Sequence, residues 1–246
     1  MLLAGPALAG GGDRVPTPIP VPAPMPVEES FSHYLRADFG WGFAGEPSVS
    51  ESGADAGPLA TGRSVDTSDV FYGSIGAGTY WTPRFRTDVT LDFRGTQDVD
   101  ATTTYDDGGT LGTARDTVQL RGTVGLFNAY WDLAPRGSFT PYVGAGVGFV
   151  YNQINRRYSA IEDVSLAIDQ QGSGSANNFG LAAALMAGAS FSWSHGWALD
   201  IGYRALFMDG GDITIPLTGG SATPSRLDIG SQWEHQIRVG LRANIW

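Results

Sequence analysis

The chain has 246 residues, with 25 acidic and 15 basic side chains, every basic one an arginine, and a formal charge of −10; a reader of nucleic-acid phosphates needs a basic surface and is excluded. It has no cysteine, so neither a disulfide framework nor a thiolate metal site is available. Apolar residues make up 42 %, mean hydropathy is −0.09, and no run reaches the roughly 18 apolar residues of a membrane-spanning helix.

Residues 1–9 (MLLAGPALA) end in the small-x-small pattern Ala7-Leu8-Ala9 and read as a truncated remnant of a secretory signal peptide, lacking its basic start. Residues 10–30 contain PTPIPVPAPMP, in which proline alternates with other residues. This is a polyproline spacer with no sheet pairing, expected to be a periplasmic linker. The remainder, 31–246, reads as one β domain.

Its signature is apolar/polar alternation over stretches of about ten residues, which puts the two kinds of side chain on opposite faces of a strand. The first stretch, about 32–43, sets Leu35, Ala37, Phe39, Trp41 and Phe43 against Tyr34, Arg36, Asp38, Gly40 and Gly42. The second, 69–81, sets Phe71, Ile75, Ala77 and Trp81 against Tyr72, Ser74, Gly76 and Gly78. The third is the cleanest: Phe85, Thr87, Val89, Leu91 and Phe93 oppose Arg86, Asp88, Thr90, Asp92 and Arg94. In the fourth, 117–133, Val118, Leu120, Val124, Leu126 and Tyr130 are expected outward, with Gln119, Arg121 and Thr123 inward. The fifth, 140–152, opposes Val143, Ala145, Val147, Phe149 and Tyr151 to glycines. The sixth, 179–191 (FGLAAALMAGASF), is apolar on both faces; read alone it suits a short helix, but its place in the series favours a strand. The seventh, 197–208, and eighth, 232–245, return to alternation, with Asp200, Arg204, Glu234, Gln236, Arg238 and Arg242 on the polar face.

The connections alternate as well. Residues 44–68, 96–116, 153–177 and 209–231 are long and polar, whereas Thr82-Pro83-Arg84, 134–139 and Ser194-His195-Gly196 are short. The expectation is an all-β fold: an eight-stranded antiparallel up-and-down transmembrane β-barrel with short periplasmic turns, four long, mobile extracellular loops, and both termini periplasmic. The apolar faces would meet lipid and the charged faces the lumen; a soluble lipocalin-like barrel would be the reverse. Trp41, Phe43, Phe71, Trp81, Phe85, Tyr130, Trp131, Tyr151, Trp197 and Phe207 cluster near strand ends, where lipid-interface girdles belong.

Asn128-Ala129-Tyr130-Trp131-Asp132-Leu133 followed by Phe139-Thr140-Pro141-Tyr142-Val143-Gly144-Ala145-Gly146-Val147-Gly148 resembles the signature of the opacity-protein-like, OmpA-like outer-membrane surface antigens. Leu199-Asp200-Ile201-Gly202-Tyr203-Arg204 and His235-Gln236-Ile237-Arg238-Val239-Gly240-Leu241-Arg242 are similar to that family's later strands. The resemblance covers about 31–246 and implies an eight-stranded barrel in a Gram-negative outer membrane. Such chains usually end on an aromatic in phase with the lipid-facing residues. Here Ile245 holds the phase and Trp246 is one residue out of step.

The predicted lumen carries Arg36, Asp38, Arg86, Asp88, Asp92, Arg94, Arg121, Asp200, Arg204, Glu234, Arg238 and Arg242. In so narrow a barrel opposite charges should pair into a plug, because an unpaired buried charge is costly; a narrow porin is the alternative. Glu46, Glu51, Asp55, Asp66, Asp69, Asp98, Asp100, Asp106 and Asp107 make the first two loops acidic, and Asp106-Asp107-Gly108-Gly109 lacks the spaced carboxylates of a calcium loop. Arg156-Arg157 is a candidate contact for lipopolysaccharide phosphates. His33, His195 and His235 are not placed to share a metal. His235 with Asp209 or Asp212 is the one candidate for an outer-membrane enzyme acting on lipid A or peptides. The expectation is therefore a non-enzymatic, monomeric envelope protein without cofactor. Its partners would be outer-membrane lipids and lipopolysaccharide, the barrel-assembly machinery during insertion, and a host or phage ligand at the loops.

Overall fold

The computed structural model describes residues 33–45, 48–52, 60–107, 110–134, 137–162, 170–194, 196–218 and 224–245. The expected signal remnant and linker, Glu46, Asp55, Gly108-Gly109, His195 and Trp246 lie outside these residues. The strands are β1 (His33–Ala44), β2 (Val49–Ser52), β3 (Ala60–Thr67), β4 (Val70–Tyr80), β5 (Phe85–Arg94), β6 (Gln97–Asp107), β7 (Thr110–Asp132), β8 (Phe139–Glu162), β9 (Gln170–Ser194), β10 (Trp197–Met208), β11 (Gly211–Ile215), β12 (Ser225–Ile229) and β13 (Gln232–Ile245).

Eight of them, β1, β4, β5, β7, β8, β9, β10 and β13, pair in that order, every neighbour antiparallel, and β1 closes on β13. Closure leaves the barrel without a free edge. The alanine-rich sixth stretch is strand: Leu185 in β9 faces Ala145 of β8 on one side and Ala205 of β10 on the other. The polarity is inside-out. Phe39 is 60 % exposed and Val147 64 %, while Arg86 and Glu234 are fully buried, so the lipocalin-like arrangement does not occur.

Among the described residues, the four long connections carry further strands, which the sequence reading did not anticipate. β7, β8 and β9 run 23, 24 and 25 residues, about twice the length that crosses a bilayer. β6 takes over from β5 along the upper half of β7, and β3 pairs outside β6. Across from this wall, β11, β12 and β2 form a three-stranded sheet. The physical reason lies in the sequence of the connections. Val99, Val118, Ile154, Tyr158, Ile213, Ile215, Leu227 and Ile229 fall at inward positions and bury one another. Ile215 and Leu217 settle over Gly172 and Gly174 of β9. Ile215→Asp should put an unpaired charge in this upper core and cost about 3 kcal/mol locally. Limited proteolysis is expected to cut between residues 209 and 231 while the lower barrel keeps its unboiled gel mobility.

The wall changes polarity where it enters the upper part. Along β8 the outward residues are Val143, Val147, Phe149 and Tyr151, then Gln153, Asn155 and Arg157; inward, beyond Asn152, come Ile154, Arg156 and Tyr158. β7 switches likewise. Phe127 and Trp131 face out below, and Gln119 and Arg121 face out above, with Val118 inside. The phase expected for 117–133 is therefore reversed: Val118, Val124, Leu126 and Tyr130 are buried inside. Registers Phe85↔Trp131 and Trp131↔Val143 fix that phase by aligning Trp131 with two outward residues. At the same level strands break, at Gly45, Gly95, Gly210 and Gly230. At Gly210 the constraint is steric, because a Cβ would lie 1.8 Å from the Ile229 carbonyl oxygen.

Candidate functional site

Inside the lower barrel, strand alternation points six arginines (Arg36, Arg86, Arg94, Arg204, Arg238, Arg242) and six carboxylates (Asp38, Asp88, Asp92, Asp132, Asp200, Glu234) at one another, all at most 9 % exposed. Arg121, expected among them, is exposed on the outer surface; its strand has the opposite phase. Asp132 was not anticipated. Its shared parity with Asn128 and Tyr130 was the available signal.

The charges form linked chains. Arg94 grips Glu234 through a two-pronged contact, Nη1 to Oε1 at 2.9 Å and Nη2 to Oε2 at 2.5 Å. Gln236 donates to Glu234 and accepts from Arg204, whose Nη2 donates to Asp92. Nearer the short turns, Arg36 donates to Asp38 at 2.7 and 2.9 Å and to Asp88 at 2.9 Å. Asp88 also accepts from Tyr34 at 3.0 Å and Asn128 at 2.8 Å, so both its oxygens are occupied. Arg242 approaches Asp200 at 3.5 Å and donates to Ser190, which in turn donates to Asp200.

Tyrosines complete what carboxylates leave. The Arg86 guanidinium, with one 3.3 Å contact to Asp132, lies 4.1 Å from the Tyr130 ring centroid and 5.0 Å from that of Tyr142. Arg238, without a carboxylate within 4.0 Å among the described residues, reaches the hydroxyls of Tyr130 and Tyr142 at 3.5 Å. Tyr130 is thus 1 % exposed in the interior, which corrects its place among the interface aromatics. The opposite wall is apolar: Val124, Leu126, Val150, Met186, Leu206 and Met208 form a buried strip that joins the charge network through Tyr130 and Tyr142. The lumen is occupied by side chains; the rings of Tyr72 and Tyr34 lie directly against Gly40 and Gly78.

The other anticipated aromatics face outward: Trp41, Phe43, Phe71, Trp81, Trp131, Tyr151 and Trp197 are exposed, and Phe85 and Phe207 half-buried. They fall into two rings. Phe85 and Trp131 meet near the short turns, while Trp41, Phe43 and Phe71 cluster at the other end, where Phe207 meets Trp233. Trp193 and Trp233 belong to these rings and were missed. Trp197 and Phe207 are about 34 Å apart along β10, which a tilt near 40° projects to about 25 Å of height, the span of a barrel's apolar band.

The enzyme candidate is not assembled. His235 faces outward and bonds to the Tyr203 hydroxyl at 2.5 Å; Asp209 accepts from the Leu181 amide at 3.1 Å, and Asp212 pairs with Arg226 at 3.5 Å. Arg156 and Arg157 also part company. Arg156 is buried and bonded to Asp116 at 2.5–3.0 Å, whereas Arg157 is exposed outside. Among the described residues no group of three or more His, Asp or Glu is arranged to hold a metal ion.

No family model matches the chain. Over 89 residues it is 36 % identical to uncharacterized proteins of Brucella abortus, Brucella suis and Brucella melitensis; the match spans 35 % of this chain and 30 % of those relatives. Among solved structures it is similar to the outer membrane protein OprG from Pseudomonas aeruginosa, with a TM-score of 0.49, 14 % identity, and coverage of 88 % of this chain and 97 % of that one. It is also similar to Neisserial surface protein A, with a TM-score of 0.40 and 14 % identity over 87 % of this chain and 97 % of that one. For the N-terminal β-barrel domain of Pseudomonas aeruginosa OprF the TM-score is 0.35, with 13 % identity over 87 % and 99 % of the two chains.

Proposed function

We propose that this chain is an integral outer-membrane barrel protein whose role is structural and interactive: it anchors in the envelope and holds a folded platform, built from the long connections, on the outer surface for recognition. The observation that carries this reading is the change of wall polarity at a single level. Below it, outward residues are apolar and the inward ones hold the charge network beside an apolar strip; above it, outward residues are polar and the inward ones mostly apolar, around the single buried Arg156–Asp116 pair. A wall immersed wholly in water has no reason to invert, whereas one passing from acyl chains into water must. On this reading the short turns and both termini are periplasmic. The test is membrane fractionation with a boiled-versus-unboiled gel. Recovery with outer membranes and a heat-dependent mobility shift are expected; a soluble, shift-free protein would overturn the proposal.

The platform, being sheet with its own core, suits recognition by a fixed surface rather than by an adaptable loop. Host, phage and neighbouring lipids are the classes of partner such a surface meets. The ion-paired lumen argues against the porin alternative. Purified protein in planar bilayers is expected to give no steady channel openings, and stable conductance steps would reinstate it.

A further inference from the structure

We propose that the outer wall where β7, β8 and β9 rise out of the apolar belt is a seat for the phosphorylated sugar head group of a glycolipid in the surrounding leaflet. The assignment rests on the membrane-spanning reading above and adds a ligand to it. Two concavities lie one above the other on this wall. The lower, about 240 Å³, sits at the rim of the belt and is bordered by Phe93, Arg121, Tyr151 and Gln153. The upper, about 520 Å³, is bordered by Thr117, Gln119, Asn155, Arg157, Ser173 and Ser175. Their composition is layered: aromatic rings and an arginine below, hydroxyls, amides and a second arginine above. A head group that continues acyl chains into phosphate and then sugar presents complementary chemistry in the same order.

The charge on this wall is the second argument. Arg115, Arg121 and Arg157 are exposed, and none has a carboxylate within 4.0 Å among the described residues. Arg121 has only a 3.5 Å contact with the Thr96 hydroxyl. Two adjacent carboxylates accept hydrogen bonds from uncharged donors, Asp98 from Gln119 at 3.0 Å and Asp100 from Thr117 at 2.8 Å. In a chain of charge −10, three exposed arginines without an ion-pair partner among the described residues are a local concentration of positive charge, set beside the Asp66, Asp98 and Asp100 carboxylates. Guanidinium groups bind phosphate in two-pronged fashion, and more tightly at a membrane surface than in bulk water. Height fits as well. Gln153, in register with Arg121, is two residues beyond Tyr151, about 7 Å along the strand. Arg157 is about 20 Å beyond Tyr151, within reach of a second phosphate or an outer sugar.

The experiment uses the full chain in phosphatidylcholine nanodiscs doped with bisphosphorylated lipid A, or with the same lipid after enzymatic removal of both phosphates; bound lipid is read by native mass spectrometry. Selective retention of the phosphorylated form is expected. Arg121→Gln combined with Arg157→Gln should weaken it at least tenfold, while Arg226→Gln, on the opposite sheet, should not. Both substituted side chains are exposed, and an unboiled-gel shift verifies that the double variant is folded, which separates failure of the site from failure of the barrel reading. Equal retention of dephosphorylated lipid, an unchanged double variant, or displacement by a soluble sugar phosphate at the lipid's own concentration would each overturn the assignment.

Discussion

Glu234→Gln is expected to cost about 3 kcal/mol of barrel stability, measured as a lowered urea midpoint for unfolding from detergent micelles, because it leaves the Arg94 guanidinium without its counter-charge inside the wall. The substitution preserves shape and volume, so the loss reports charge rather than a cavity. Adding Arg94→Met should return most of the midpoint, since removing both partners abolishes the orphaned cation. If the double variant were no better than the single one, the pair would not be what holds Glu234 in place. The residue is sensitive because it links two segments of the network: Gln236 ties it to Arg204 and thence to Asp92.

A second large effect is expected from one methyl group. At Gly148, opposite Leu126, an added Cβ would stand 1.9 Å from the carbonyl oxygen of Gly125, which is backbone and cannot rotate away. Gly148→Ala should therefore abolish the heat-modifiable species or lower stability by about 4 kcal/mol or more. Gly73, on the outward face of β4, has nothing within 4 Å of its ideal Cβ position, so Gly73→Ala should be neutral or slightly stabilising. The contrast removes glycine's general strand penalty from the comparison and isolates the close approach of β7 and β8.

Much of the architecture was legible because period-two alternation is a local property. Phe85 to Arg94 alternate without exception, and the structure places them inside and outside as that pattern requires. The short turns were equally clear, since Pro83 and a few polar residues punctuate long extended runs. What escaped was a reversal of meaning along a strand. Val118 and Leu126 look like lipid-facing residues if every apolar side chain faces lipid, yet both point inward, Val118 into the upper core. The clue was present. Apolar residues occupy even positions from Val118 to Leu126 and odd positions from Phe127 to Leu133, and a wall with one environment outside does not change parity. The same shift follows Tyr151 in β8, where Ile154 and Tyr158 take the inward phase. The lumen ladder was readable residue by residue except where this parity error carried Arg121 in and left Asp132 out. The pairing of charges was not readable, because which arginine meets which carboxylate depends on register between strands far apart in sequence. Arg94 and Glu234 are 140 residues apart.

The glycine-marked breaks between β10 and β11, and between β12 and β13, mark the level at which one buried apolar cluster gives way to another. The apolar cluster above them and the one below have no residue in common. Substitutions confined to the upper cluster are therefore expected to add to, rather than couple with, those in the lower one, with the continuous strands β7, β8 and β9 as the shared element.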